Sequence, residues 1–171
     1  MYKRLLLSSI AVVVYMKIDQ IMLGQMVGDE AVGIYSAAVR ISEVWYFIPT
    51  MIVASVFPAI LKARNSSEEQ YYKKLQHLFD LMLWLSIGIA LPKTFLSESV
   101  IKILFGETYL DASSILSIHI WASVFVFLGV ASSKWFIAEN RQILSFQRTT
   151  IGALANVILN FLFIPQFQAV G

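Results

Sequence analysis

The chain has 171 residues, 58% hydrophobic and 14% charged, with a mean hydropathy of +0.71. A soluble domain carries roughly 25% charged residues, so these long apolar runs indicate an integral membrane protein. There is no cysteine, which excludes disulfides, zinc–cysteine sites and iron–sulfur clusters; His77 and His119 are too far apart in sequence to form a metal-ligand spacing.

A helix crossing the hydrocarbon core needs about 20 apolar residues, because the core is about 30 Å thick and each residue rises about 1.5 Å. Five segments meet this requirement: 5–27, 31–61, 75–91, 112–133 and 143–164. The expected fold is all-α, a polytopic membrane bundle of about five transmembrane helices in one unit over residues 1–171. Lys3 and Arg4 followed by an apolar run resemble a signal peptide, but no small-residue cleavage site follows and the run continues to Val27. The segment therefore reads as a retained span. The second span contains Pro49 and Pro58, each of which removes a backbone donor and bends a helix. Before the third span, Ser66 or Ser67 is placed to cap a helix, with Glu69 or Gln70 in its first turn. Thr94–Phe105 is too short and too charged to cross, so a separate helix in the outer interface is expected, stopped at Gly106.

With the N-terminus cytoplasmic, the inner loops hold Lys3, Arg4, Lys62, Arg64, Lys73, Lys74, Lys134, Arg141 and Arg148, against only Lys93 and Lys102 outside. That asymmetry follows the positive-inside rule. It makes the basic residues topology signals rather than a nucleic-acid footprint, so no nucleic-acid partner is expected.

Lys17, Asp19, Arg40 and Glu43 lie within the first two apolar segments, which meet at Gly28-Asp29-Glu30. A charge at the bilayer centre costs about 2.5–3.5 kcal/mol even on the permissive insertion scale. Asp19 lies ten residues before Asp29 and Arg40 eleven after it; Lys17 and Glu43 lie twelve before and fourteen after. In an antiparallel hairpin each such pair shares a depth. The pattern predicts Asp19 with Arg40, and Lys17 with Glu43, across the hairpin. Lys17 and Asp19 are about 200° apart around a helix and cannot address one point, whereas Arg40 and Glu43 share a face. Two readings stay open: ion pairs that hold the hairpin together, or a polar cavity that receives an ionic ligand or a coupling ion. Asn156 and Asn160, four apart on the fifth span, are candidates for interhelical bonding or for the same cavity. Asp80 and His119 read as structural. No catalytic constellation or metal cluster is present in the pattern, so neither an enzyme nor a bound cofactor is expected, apart from a coupling proton or sodium ion.

Four stretches in order, KIDQIMLGQMVGDEAVGIYSAAVRISE (17–43), FPAI (57–60), LFGETYLDASSIL (104–116) and NVILNFLFIPQFQAVG (156–171), resemble the polysaccharide-biosynthesis flippases of the O-antigen type. These belong to the multidrug/oligosaccharidyl-lipid/polysaccharide exporter superfamily, and the resemblance covers nearly the whole chain. It implies 12 to 14 spans in two bundles around a cavity, with this chain matching five spans of the C-terminal half and an N-terminal bundle as its partner. It also implies flipping of an undecaprenyl-pyrophosphate-linked oligosaccharide across the bacterial inner membrane, with membrane lipid as the other partner. Cavity residues of such a protein would correspond here to Lys17, Asp19 and Arg40, with Glu43 beside them. The rival readings are a multidrug or organic-cation antiporter of the same superfamily, a membrane glycosyltransferase or polymerase, and an inactive half-transporter.

Overall fold

The computed structural model describes residues 17–170, and among them every regular element is helical. The first predicted span therefore lies outside the described residues over 5–16, as do Lys3 and Arg4. Its remainder is helix α1, over 17–26. Then follow α2 (Asp29–Glu43), a 3-10 turn (Val44–Tyr46), α3 (Phe47–Arg64), α4 (Glu68–Phe105), a second 3-10 turn (Glu107–Tyr109), α5 (Ala112–His119), α6 (Ala122–Ala138), α7 (Gln142–Phe167) and a closing 3-10 turn (Gln168–Val170). Four runs are long and apolar enough to cross a membrane: Asp29–Arg64, Glu68–Phe105, Ala112–Ala138 and Gln142–Phe167. The protein is an all-α, multi-pass membrane protein.

The chain forms two compact units, one from 17–36 with 147–170 and the other from Ala37–Phe146. In the first, α1 ends at Gly28, whose φ of +127° only glycine adopts readily. Its N–H bonds Leu23 O at 3.2 Å. Asp29 and Glu30 open α2, where acidic side chains complement the helix dipole. A methyl group on Gly24 would meet Val32 Cγ2 at 3.3 Å, so α1 and the start of α2 approach closely at that glycine.

The second unit is built on α3, α4 and α6. Val53, Ile60 and Ala63 of α3 pack with Tyr71, Leu75, Leu78 and Met82 of α4 and with Phe127 and Ala131 of α6. Lipid tails are as apolar as leucine, so helices in a bilayer associate by close packing and interhelical hydrogen bonds. Small residues at the contacts serve that end: Ser42, Ala63, Ser86, Ala90, Ser123, Ala131 and Ala138 are all buried. Buried hydroxyls return to their own helices, as Ser86 Oγ does to Leu83 O at 2.8 Å.

The second predicted span runs nearly unbroken from Asp29 to Arg64, with its irregularity at Val44–Tyr46. Pro49 explains the position. It cannot donate to Trp45 O, and its ring crowds that carbonyl; the chain tightens to 3-10 geometry just there. Pro58 is absorbed inside α3.

Thr94–Phe105 is not a separate interfacial helix, as its sequence suggested. It is the last third of α4, which runs 38 residues straight through Pro92. The buried stripe of α4 keeps phase across the proline: Met82, Ser86, Ala90, then Ser97 and Ile101. Ser67 caps this helix as expected, accepting from Gln70 N at 3.4 Å, and Gly106 stops it with φ +84° and ψ 179°. The fourth predicted span, 112–133, is two helices, α5 and α6, that reach Ala138. At their junction Trp121 N bonds Ile118 O and Val124 N bonds Trp121 O, both at 3.1 Å and both three residues back. Lys134, expected in an inner loop, consequently lies within α6, with its ammonium 5.6 Å from the Phe57 ring centroid. Lys93, expected in an outer loop, lies within α4. The fifth span, α7, continues two residues past the proline that was expected to end it.

Candidate functional site

In the first unit, Asp19 sits on α1 and accepts a hydrogen bond from the Tyr35 hydroxyl of α2, Oη to Oδ2 at 2.5 Å. Its other oxygen, Oδ1, is buried and receives no hydrogen bond among the described residues. An unsatisfied buried acceptor carries a penalty of about 1–3 kcal/mol, more for a charged group. Asp19 therefore presents one oxygen held by a phenol and one that can take a proton or a cation. Lys17 is half-buried on the same helix. Asn156 and Asn160 of α7 are joined, Asn160 Nδ2 donating to Asn156 Oδ1 at 3.3 Å. Their spacing places both amides on one face, and each is half-buried on a helix whose other side chains are mostly exposed.

In the second unit, Arg40 is exposed and Glu43 half-buried on the last turn of α2. Ser42, between them and fully buried, joins His119 Nδ1 at 2.8 Å. His119 thus ties the α5–α6 junction to α2, the hydrogen-bonded packing role expected of it. Trp45 follows in the 3-10 turn, and the Lys93 ammonium of α4 lies 4.9 Å from its ring centroid. The Trp45 indole Nε1 is buried and donates to no group among the described residues. Next to Lys93, Thr94 Oγ1 accepts from Trp121 Nε1 at 3.0 Å and donates to Ala90 O at 2.9 Å. Asp80, read as structural, accepts from Gln76 Nε2 one turn before it at 2.7 Å.

A second polar cluster lies where α3 ends, α4 begins and α6 ends. Arg64 donates to Ala138 O and pairs with Glu139 at 3.3 Å, while the Tyr71 hydroxyl donates to Glu139 Oε1 at 2.6 Å. With Glu68 and Tyr72 these residues line a cleft of about 290 Å³. Sequence reasoning saw Arg64 only as a topology charge and passed over Glu139. They are 75 residues apart, and no local pattern links them.

Among the described residues no group of histidines, cysteines and carboxylates could hold a metal ion. The chemistry available is that of charges, hydroxyls and aromatic rings within apolar helices.

The family model described as "Polysaccharide biosynthesis protein" matches residues 4–64. Two similar relatives are from Haloferax volcanii. "Probable low-salt glycan biosynthesis flippase Agl15" is 24% identical over 96% of this chain and 35% of its own length. "Probable flippase AglR" is 29% identical over 92% of this chain and 34% of its own length. "Capsular polysaccharide biosynthesis protein CapF" of Staphylococcus aureus is 21% identical over 90% of this chain and 39% of its length. The chain thus spans little more than a third of each of these relatives, and no solved structure matches it. Together these matches show a chain similar to polysaccharide biosynthesis proteins and glycan flippases, the family its sequence resembles.

Proposed function

We propose that this chain forms part of a flippase that moves a lipid-linked oligosaccharide, carried on undecaprenyl pyrophosphate, across the bacterial inner membrane, with the chain's N-terminus cytoplasmic. The reading is carried by one observation: Lys17, Asp19, Arg40 and Glu43 stand at matched distances from the Gly28 turn, inside helices that are otherwise apolar. Charges at such positions are functional by default, because a purely structural span gains nothing from their insertion cost. The flippase names of two relatives support it.

In this mechanism the anionic pyrophosphate is drawn to Arg40 and Lys17, while Asn156, Asn160 and hydroxyl groups solvate the sugar. The lipid tail stays in the bilayer. Asp19 and Glu43 neutralise the empty site, and the unbonded oxygen of Asp19 is the acceptor for a coupling proton or sodium ion. Rocking against a second bundle, an N-terminal one absent from these 171 residues, would expose the cavity to each side in turn.

The test is replacement of Arg40 or Lys17 by alanine in the protein as its gene encodes it. Surface polysaccharide should fall while the variant inserts normally. Normal polymer from a normally inserted variant would refute the cavity role.

A further inference from the structure

The four hairpin charges sum to zero, so by themselves they make a poor trap for an anion. The structure brings one more cation to the second unit. Lys93 of α4 lies 4.9 Å from the Trp45 ring centroid, and Trp45 follows Arg40 and Glu43 on the same helical run. Trp45 falls at the middle of that run, Asp29–Arg64, and Lys93 lies about 10 Å beyond the midpoint of Glu68–Phe105 at 1.5 Å per residue. Both positions are within half the thickness of a hydrocarbon core of about 30 Å. Lys93 is therefore not a loop lysine at the outer surface. Its ammonium is level with Trp45, on the helical run that carries Arg40 and Glu43.

The other lysine expected outside behaves differently. Lys102 pairs with Glu107 at 2.7 Å, and both side chains are well exposed. Lys93 has an indole face as its partner and, among the described residues, no carboxylate. An aromatic face steadies a cation without neutralising it, so the charge remains available to an anion. The Trp45 N–H beneath it is buried and donates to no described residue, and the next residue, Thr94, accepts from Trp121 Nε1. A cation on an indole face, with a free indole N–H beside it, is chemistry suited to a phosphorylated sugar: ammonium to phosphate oxygen, N–H to a sugar hydroxyl.

We propose that Lys93, seated on Trp45, is an anion-binding residue of the flippase, contacting the phosphate of the sugar-bearing head. This rests on the flippase reading above. The experiment uses the protein as encoded, purified in detergent, with a short-chain polyprenyl pyrophosphate bearing one N-acetylglucosamine as probe. Binding is followed by equilibrium titration, and folding by gel filtration and thermal melting. Lys93→Ala should weaken binding about tenfold or more, the loss of one charge-assisted contact. Lys93→Arg should restore most of the affinity, and the salt dependence of binding should be shallower in Lys93→Ala. Equal affinity of Lys93→Ala and the unmodified protein overturns the assignment and leaves the flippase reading standing. Failure of Lys93→Arg alongside full binding by Lys93→Gln overturns it too, since shape rather than charge would then matter. If the unmodified protein binds no probe, the flippase reading falls and this assignment with it.

Discussion

Asp19, His119 and Glu139 are each held by identified side-chain partners, so substitutions at those partners separate their roles. Tyr35→Phe removes the hydrogen bond that Asp19 Oδ2 accepts from the Tyr35 hydroxyl. If Asp19 carries the coupling ion, transport in Tyr35→Phe should shift its dependence on external pH or sodium while the protein still inserts; an unchanged ion dependence would count against that role. Ser42→Ala takes the hydroxyl away from His119 Nδ1, and the melting transition in detergent should report a loss of about 1–3 kcal/mol. Glu139→Ala strips Arg64 and Tyr71 of a shared acceptor. Arg64 is about a third exposed, so the ion pair itself contributes little, and most of the loss should come from the Tyr71 bond. Tyr71→Phe combined with Glu139→Ala should then be scarcely worse than Glu139→Ala alone, which a double-mutant cycle measures.

Helix ends were legible in the sequence because their signals are local. Ser67 and Gly106 were identified from their immediate neighbours, and both do what they were expected to do. Ser67→Ala should destabilise the fold by about 1 kcal/mol, with Ser67→Asp close to neutral. Gly106, at φ +84° and ψ 179°, occupies a region essentially restricted to glycine, so Gly106→Ala should cost about 1–3 kcal/mol. Thermal melting checks both. What happens between the ends was harder to read. Pro92 followed by Lys93 resembles a span end, and hydropathy alone breaks α4 there. The better signal was the small-residue stripe, with Ala90 and Ser97 seven residues apart on one face. Likewise, the α5–α6 break has no proline or glycine to announce it. Ionic partners distant in sequence, such as Arg64 and Glu139, leave no trace in a single chain.

Over the whole molecule, composition alone was enough to indicate an all-α membrane protein, because a chain this apolar has few other ways to satisfy its backbone than helices. The cysteine-free sequence also makes the proposed orientation testable without removing a residue. Ser66→Cys, in the loop before α4, should react with a membrane-impermeant thiol reagent only from the cytoplasmic side. Thr108→Cys, exposed in the turn after α4, should react only from the opposite side. The reverse pattern would invert the topology, and labelling of both from one side would mean that α4 does not cross. The expected five-span pattern becomes four described spanning runs plus α1.

The unbroken α4 has a mechanical consequence. At 1.5 Å per residue its 38 residues form a rod about 57 Å long, nearly twice the hydrocarbon thickness. Glu68 and Tyr71, which line the cleft, sit at one end of it, Lys93 at two-thirds of its length and Gly106 at the other end. Helix continues through Pro92 between them, so a tilt at one end is carried toward the other. A tilt of about 10° pivoting at Tyr71 would swing Lys93 by about 6 Å, more than its present distance from the centre of the Trp45 ring. The Arg64–Glu139–Tyr71 clasp and the Lys93–Trp45 contact thus share one continuous helix, about 33 Å apart along it.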